Sequence, residues 1–228
     1  MTDVAANLEK VRVDIAAACR RAGRDPADVR LIAVSKTHPV EAIEVAYRAG
    51  QRDFGENYAQ ELRDKAGKLP QDIRWHFIGH LQTNKIKYVV GTAALIHSVD
   101  SAEIIESIAA RARRSGLVQD ILVEINLSGE ASKTGAAPAA LGELASKARS
   151  LEGVRFQGLM TMAAEGASPE GARQTFNQLK TLAKSLNLPG QMPPELSMGM
   201  SGDFESAVLE GATLVRIGTA IFGPREGI

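Results

Sequence analysis

Short apolar runs alternate with helix-patterned stretches along nearly the whole chain, and this alternation restricts the fold more than any other feature. The first run is residues 29–34, Val-Arg-Leu-Ile-Ala-Val, which reads as a buried strand. Similar runs recur at 52–54, 73–78, 94–98, 121–125, 154–160, 195–198 and 213–217. Between them lie helical patterns at 40–49, 57–66, 83–90, 138–150 and 203–210. Two more helices mark their own starts. Asp100 and Glu103 form a capping-box pattern ahead of Ile104, Ile105, Ile108 and Ala112. Ser168-Pro169-Glu170 offers an N-cap residue and a proline at the first helical position, ahead of Phe176, Leu179, Leu182, Ala183 and Leu186. An amphipathic helix over 3–22 precedes the first strand, and Gly23 is placed to end it.

Strands separated by helices pair in parallel. An open doubly wound sheet and a closed barrel both satisfy the pattern. Eight strands in 228 residues favour the barrel. The expected fold is therefore α/β, a single (β/α)8 TIM-type barrel over residues 1–228 preceded by an N-terminal helix. The segment 187–194, with three prolines, is the most loop-like piece.

Bulk properties narrow the function. Apolar residues at 44% and charged residues at 24% suit an ordinary globular protein. Lys plus Arg number 27, as do Asp plus Glu, so the chain lacks the basic excess of a nucleic-acid or anionic-membrane binder. Arg111, Arg113 and Arg114 cluster locally and read as a solvated helix face. The single cysteine, Cys19, has no internal disulfide partner and reads as a buried or half-buried filler. The N-terminus has no apolar leader-like stretch, and no run approaches membrane-spanning length. A cytoplasmic protein is expected.

In such a barrel the functional groups sit at the C-terminal ends of the strands. The residues there are Ser35-Lys36-Thr37, Gly55-Glu56-Asn57, Gly79-His80, Asp100, Asn126, Thr161, Ser201-Gly202 and Gly218-Thr219. Lys36 follows an apolar strand and one serine. Desolvation there would lower its pKa and free the neutral amine for Schiff-base chemistry. From position alone, a lysine that has merely left the strand for solvent fits as well. The loops at 200–203 and 217–220 fall after strands seven and eight, where barrels often bind phosphate. Ser201 and Thr219 carry hydroxyls, while Gly202 and Gly218 allow close approach of backbone to ligand. Two ordinary strand-to-helix turns would look the same. Arg216 interrupts an apolar strand and needs an acceptor or a carboxylate, which a salt bridge inside the barrel would also supply.

The strings AVSKT (33–37), FGENYAQE (54–61), WHFIGHLQTNK (75–85) and LSMGMSGDFESAVLEGATLVRIGTAIFG (196–223) together resemble the pyridoxal phosphate homeostasis protein family. That family is similar to the N-terminal barrel domain of alanine racemase. The resemblance runs from about residue 8 to 223. It implies pyridoxal 5′-phosphate (PLP) as cofactor, held as an internal aldimine on Lys36. It implies phosphate contacts from Ser201, Gly202, Gly218 and Thr219, Arg216 facing the pyridine nitrogen, and Asn57 near the cofactor, with His80 in the vicinity. The segment Gly129 to Gly135 follows the family's Glu-rich, Lys-containing loop only loosely, so no role is carried onto it.

A cation at the ring nitrogen would make PLP a weak electron sink. Racemisation also needs an acid/base on each face of the substrate Cα. In alanine racemase the second base is a tyrosine from another domain of a partner subunit. Here Tyr47, Tyr58 and Tyr88 fall in predicted helices, and Ile228 is expected to end the chain before any second domain. The expectation is a PLP-binding protein that buffers or transfers the vitamer without robust turnover. PLP-dependent apoenzymes would be its transient acceptors, neither nucleic acid nor membrane a partner, and the chain a monomer. A weak amino-acid racemase is the alternative. A Schiff-base aldolase would share the barrel, lysine and phosphate site but would normally carry its lysine on a later strand. A scaffold would bind nothing at Lys36.

Overall fold

A computed structural model of the chain describes residues 2–128, 134–186 and 194–224. Eight parallel strands form a closed barrel in chain order. They are β1 (Arg30–Val34), β2 (Asp53–Glu56), β3 (Arg74–Phe77), β4 (Leu95–Val99), β5 (Gln119–Glu124), β6 (Val154–Met160), β7 (Glu195–Ser197) and β8 (Leu214–Ile217). Pairing of β1 with β8, with Ile32 beside Arg216 and Ala33 beside Ile217, closes the ring and excludes the open sheet. The helices are α1 (Val4–Arg21), α2 (Val40–Arg48), α3 (Ala59–Ala66), α4 (Ile86–Val89), α5 (Ala102–Arg114), α6 (Leu141–Ser150), α7 (Pro169–Ser185), α8 (Phe204–Leu209) and α9 (Thr219–Phe222). None of the described helices is long and apolar enough to cross a membrane.

Strand alternation divides the core in two. Outward-facing residues such as Phe54, Trp75, Phe77, Ile121 and Phe156 pack under the helices in one large cluster. Ile32, Leu95, Leu122, Met160 and Leu214 form a smaller cluster, which alternation places inside the barrel. Helix α1 buries Val4, Leu8, Val11, Ile15, Ala18 and Cys19, and Asp3 caps it by accepting from Ala6 N at 2.9 Å. It packs against α2, α8 and α9, beside the closing seam. Asn7 Nδ2 donates to Ile221 O at 3.1 Å, and Arg24 Nη1 to Val208 O at 2.9 Å.

Several local expectations need correction. The helix expected over 83–90 is a single 3-10 turn, Thr83–Lys85, followed by the four-residue α4. Thr83 and Asn84 are poor helix formers, and they occupy the turn. The cap of α5 is Ser101, whose Oγ accepts from Ile104 N, not Asp100. The Asp100 side chain instead lies 3.7 Å from His80 Nδ1. The segment 138–150 opens with a 3-10 turn before α6. Tyr58 precedes α3 rather than lying in it, so it is an exposed residue at the C-terminal mouth. The loop-like residues 187–193, residues 129–133 and Ile228 lie outside the described residues.

Gly158 shows how closely the strands approach one another. It sits beside the register shift between β5 and β6 and pairs with Glu195 of β7. A Cβ added there would lie 2.1 Å from the Glu195 carbonyl oxygen, which is rigid backbone. Gly158→Ala is therefore expected to cost about 3 kcal/mol, the upper end of overpacking penalties. The check is a urea midpoint shifted down with an unchanged slope.

Candidate functional site

The turn after β1 is held from below by a buried cluster. Ser35 and Glu56 are both fully buried. Glu56 Oε1 accepts from Ser35 Oγ at 2.7 Å and from Lys65 Nζ at 2.7 Å. Lys65 Nζ also donates to the Ser35 carbonyl at 2.8 Å and pairs with Glu61 at 2.8 Å. Glu61 Oε1 in turn accepts from Thr37 N at 2.8 Å. Thr37 has φ of 66°, the one positive φ among the described residues other than glycine. A β-branched residue in that region is strained and persists only where its surroundings fix it. Lys36 therefore sits between two anchored residues. It is half-buried and engaged with its surroundings rather than extended into solvent.

The closing seam sets the loops after β7 and β8 beside this turn. Gly218 follows β8, and a Cβ there would lie 3.2 Å from the Val34 carbonyl oxygen. Ser201 Oγ accepts from Ala220 N at 3.4 Å, so the two loops touch. Asp203 Oδ1 accepts from Met200 N at 2.6 Å and fixes the first loop. Among the described residues, no acceptor takes the N–H groups of Ser201, Gly202, Gly218 or Thr219. Such a set of N–H groups suits an anion. Gly202 has open space on its flank and lines a cavity of about 680 Å³ with Met162, Glu165 and Asp203.

Arg216 is buried and donates from Nη1 to Ser197 Oγ at 2.6 Å and from Nη2 to Thr161 O at 3.0 Å. Among the described residues, these acceptors rather than a salt bridge satisfy it. Burial lowers its pKa to about 10, against the opposing charges of Glu124 and Asp203, so it remains a cation at neutral pH. Alternation along β8 gives Arg216 and Gly218 the same inward face, as it does Ile32 and Val34 along β1. On the other side of β1, Asn57 follows β2, and its Oδ1 is buried with no partner. Gly79 backs it so closely that a Cβ would lie 2.1 Å from the Asn57 carbonyl oxygen. His80 is more than half exposed and stands apart beside Asp100. Of the 129–135 segment, Thr134 Oγ1 donates to Glu124 Oε1 at 2.7 Å.

The arrangement thus gathers Lys36, Asn57, Arg216 and the loops carrying Ser201, Gly202, Gly218 and Thr219 at one mouth of the barrel. Sequence reasoning placed Ser35 and Glu56 at strand ends without giving them a supporting role, and missed Glu61, Lys65 and Ser197. Their signal was faint: Ser197 is one polar residue at the end of a short strand, while Glu61 and Lys65 lie among other charged residues of α3.

Such a barrel, with a lysine at the end of its first strand and paired loops after its last two, defines a class. Residues 6–226 match the family model for the alanine racemase N-terminal domain. Proteins named pyridoxal phosphate homeostasis protein are 44% identical in Aquifex aeolicus (strain VF5), over 96% of this chain and 97% of that one, and 40% identical in Escherichia coli (strain K12), over 99% and 98%. The chain belongs to the pyridoxal phosphate homeostasis protein family. The structure of PipY from Synechococcus elongatus PCC7942 with PLP bound superposes with a TM-score of 0.85 at 38% identity, covering 97% of this chain and 100% of that chain. Alanine racemase from Clostridium difficile 630 shares the fold with a TM-score of 0.72 at 17% identity, covering 97% of this chain and 57% of that one.

Burial raises the Glu56 carboxyl to about 7, against the pull of Lys65 and Ser35. It binds its proton more tightly in the folded protein than in the unfolded chain. Its contribution to stability is therefore full below about pH 4.5, the ordinary glutamate value, and is lost as pH rises through 7. Glu56→Gln removes that titration. The variant's melting temperature should fall less than the wild type's between these two pH values, as measured by thermal scans across a pH series.

Proposed function

We propose that this chain binds PLP at the C-terminal mouth of the barrel, with Lys36 as the residue that engages the cofactor aldehyde. The observation that carries this reading is the convergence, by barrel closure, of Lys36 with two touching loops whose N–H groups are available to a phosphate. The names of the relatives and the PLP-bound PipY structure support the choice of ligand.

Each residue has a task suited to its surroundings. The anchored turn presents the Lys36 amine in one direction. The N–H groups of Ser201, Gly202, Gly218 and Thr219, with the hydroxyls of Ser201 and Thr219, receive the phosphate. Gly218 keeps the loop against Val34 without a side chain in the way. Arg216 would present a fixed cation to the ring nitrogen, and Asn57 would lie beside the ring. When bound, PLP supplies an aldehyde for a lysine amine and a ring that withdraws electrons.

The role we propose is intracellular homeostasis: the protein buffers the vitamer or passes it to apoenzymes, without robust turnover. Arg216 supports this, because a cation there opposes the ring protonation that carbanion chemistry uses. The second reading, a weak amino-acid racemase, draws on Tyr58, an exposed tyrosine in the segment that follows β2. Exchange of the substrate Cα hydrogen, lost on Tyr58→Phe, is its signature.

Purified protein mixed with PLP should show a yellow absorbance band. Borohydride should then fix the cofactor to the peptide holding Lys36, and Lys36→Ala should lose both signals. A wild type with no band, or a variant that keeps it, would overturn the assignment of Lys36.

A further inference from the structure

A continuous line of polar side chains crosses the barrel interior. At the N-terminal mouth Arg74 donates to Asp53, from Nε to Oδ1 at 2.9 Å and from Nη2 to Oδ2. Asp53 Oδ1 lies 3.0 Å from His76 Nε2. His76 Nδ1 lies 2.9 Å from His97 Nε2, and His97 Nδ1 lies 2.8 Å from Ser197 Oγ. Ser197 Oγ accepts from Arg216 Nη1. Five strands contribute: β2, β3, β4, β7 and β8. Asp53, His76, His97, Ser197 and Arg216 are all buried.

Counting hydrogens fixes the direction of every link. Arg216 only donates. Ser197 accepts from it and has one hydrogen to give, for which His97 Nδ1 is the acceptor at hand. His97 is then protonated at Nε2 and donates to His76 Nδ1. His76 in turn is protonated at Nε2 and donates to the Asp53 carboxylate. The reverse assignment sets a bare nitrogen against that carboxylate and strands the Ser197 hydrogen. A charged His76 would strand it too. Burial also disfavours a charge on either ring: it lowers the His76 pKa despite Asp53, and lowers that of His97 further, with the neighbouring His76 and Arg216 adding to the effect. Burial alone would raise the Asp53 carboxyl, but the hydrogen bonds from Arg74 and His76 outweigh it and hold it down at about 2.

We infer that Asp53, His76, His97 and Ser197 form a one-directional hydrogen-bond chain that holds Arg216, so all four are positioning residues for its guanidinium. The chain leads the pull of a carboxylate at one mouth to the arginine near the other. Its link to the cofactor rests on the reading of Arg216 given above; its proton arrangement does not.

Nitrogen-15 NMR of the histidine rings in PLP-free protein tests it directly, since the chain has only four histidines. His76 and His97 should both be neutral and protonated at Nε2 across about pH 6 to 8. Asp53→Asn should move the ring resonances of His97, two links away. With PLP present, Ser197→Ala and Asp53→Asn should each speed cofactor release by about tenfold or more, the effect of a lost charge-assisted hydrogen bond. Borohydride should still mark Lys36 in both. A charged or Nδ1-protonated His97, or His97 resonances unmoved by Asp53→Asn, would overturn the chain. A wild type that takes up no PLP would overturn the cofactor reading alone, and the nitrogen resonances would still decide the chain.

Discussion

The pairing of β1 with β8 is the constraint on which the rest depends. It joins residues near the two ends of the chain in register, from Arg30 beside Leu214 to Ala33 beside Ile217. An open sheet would expose two edge strands and leave Lys36 far from residues 216–219. Closure removes the edges and makes those residues neighbours. Helix α1 then packs beside the seam, with Asn7 and Arg24 bonded to carbonyls near residues 208 and 221. The site is thus a consequence of closure, because no single stretch of sequence contains it.

Closure also creates an interior that is only partly apolar. Five apolar residues form its inner cluster, and the polar line from Asp53 to Arg216 fills much of the rest. Burying these groups is costly unless every donor finds an acceptor. Here the demand is met by chaining: each group serves the next, and the ends are a carboxylate and a guanidinium. Such a line tolerates little change, since removing one member leaves its neighbours buried and unpaired. Outside the barrel the Glu56–Lys65 cluster fixes the Lys36 turn through Glu56 Oε1, while Glu56 Oε2 is buried without a partner.

The sequence made the strand count and order legible because each strand is a short apolar run between breakers. Strand β6 spans the expected 154–160, and Ser168 caps α7 with Pro169 as its first residue. Barrel closure itself was only favoured by count, since alternation alone fits two folds. Capping failed at α5, where Ser101 and Asp100 are both competent and only the path of β4 decides between them. The placement of Lys36, Asn57, Arg216 and the two loops at one mouth was readable from strand ends. The support beneath them was not. His76, His97 and Ser197 lie in different strands, and each alone looks like a satisfied core residue. Their relation exists only once residues 53 and 216 are brought into one interior.

A PLP site can be built to hold or to react, and under the binding mode proposed above the two demands differ at Arg216. Chemistry at a substrate carbon gains from a protonated ring, which a carboxylate at the ring nitrogen would favour. In that binding mode a buried cation, Arg216, stands there instead; among the described residues it has no ion pair, and only the charges of Glu124 and Asp203 offset it. Two hydrogen bonds fix that cation, one of them at the end of a chain that spans the barrel. Investment of this kind favours orientation over electron withdrawal. Under the proposed function, such fixing suits holding the ligand in one pose rather than transforming it.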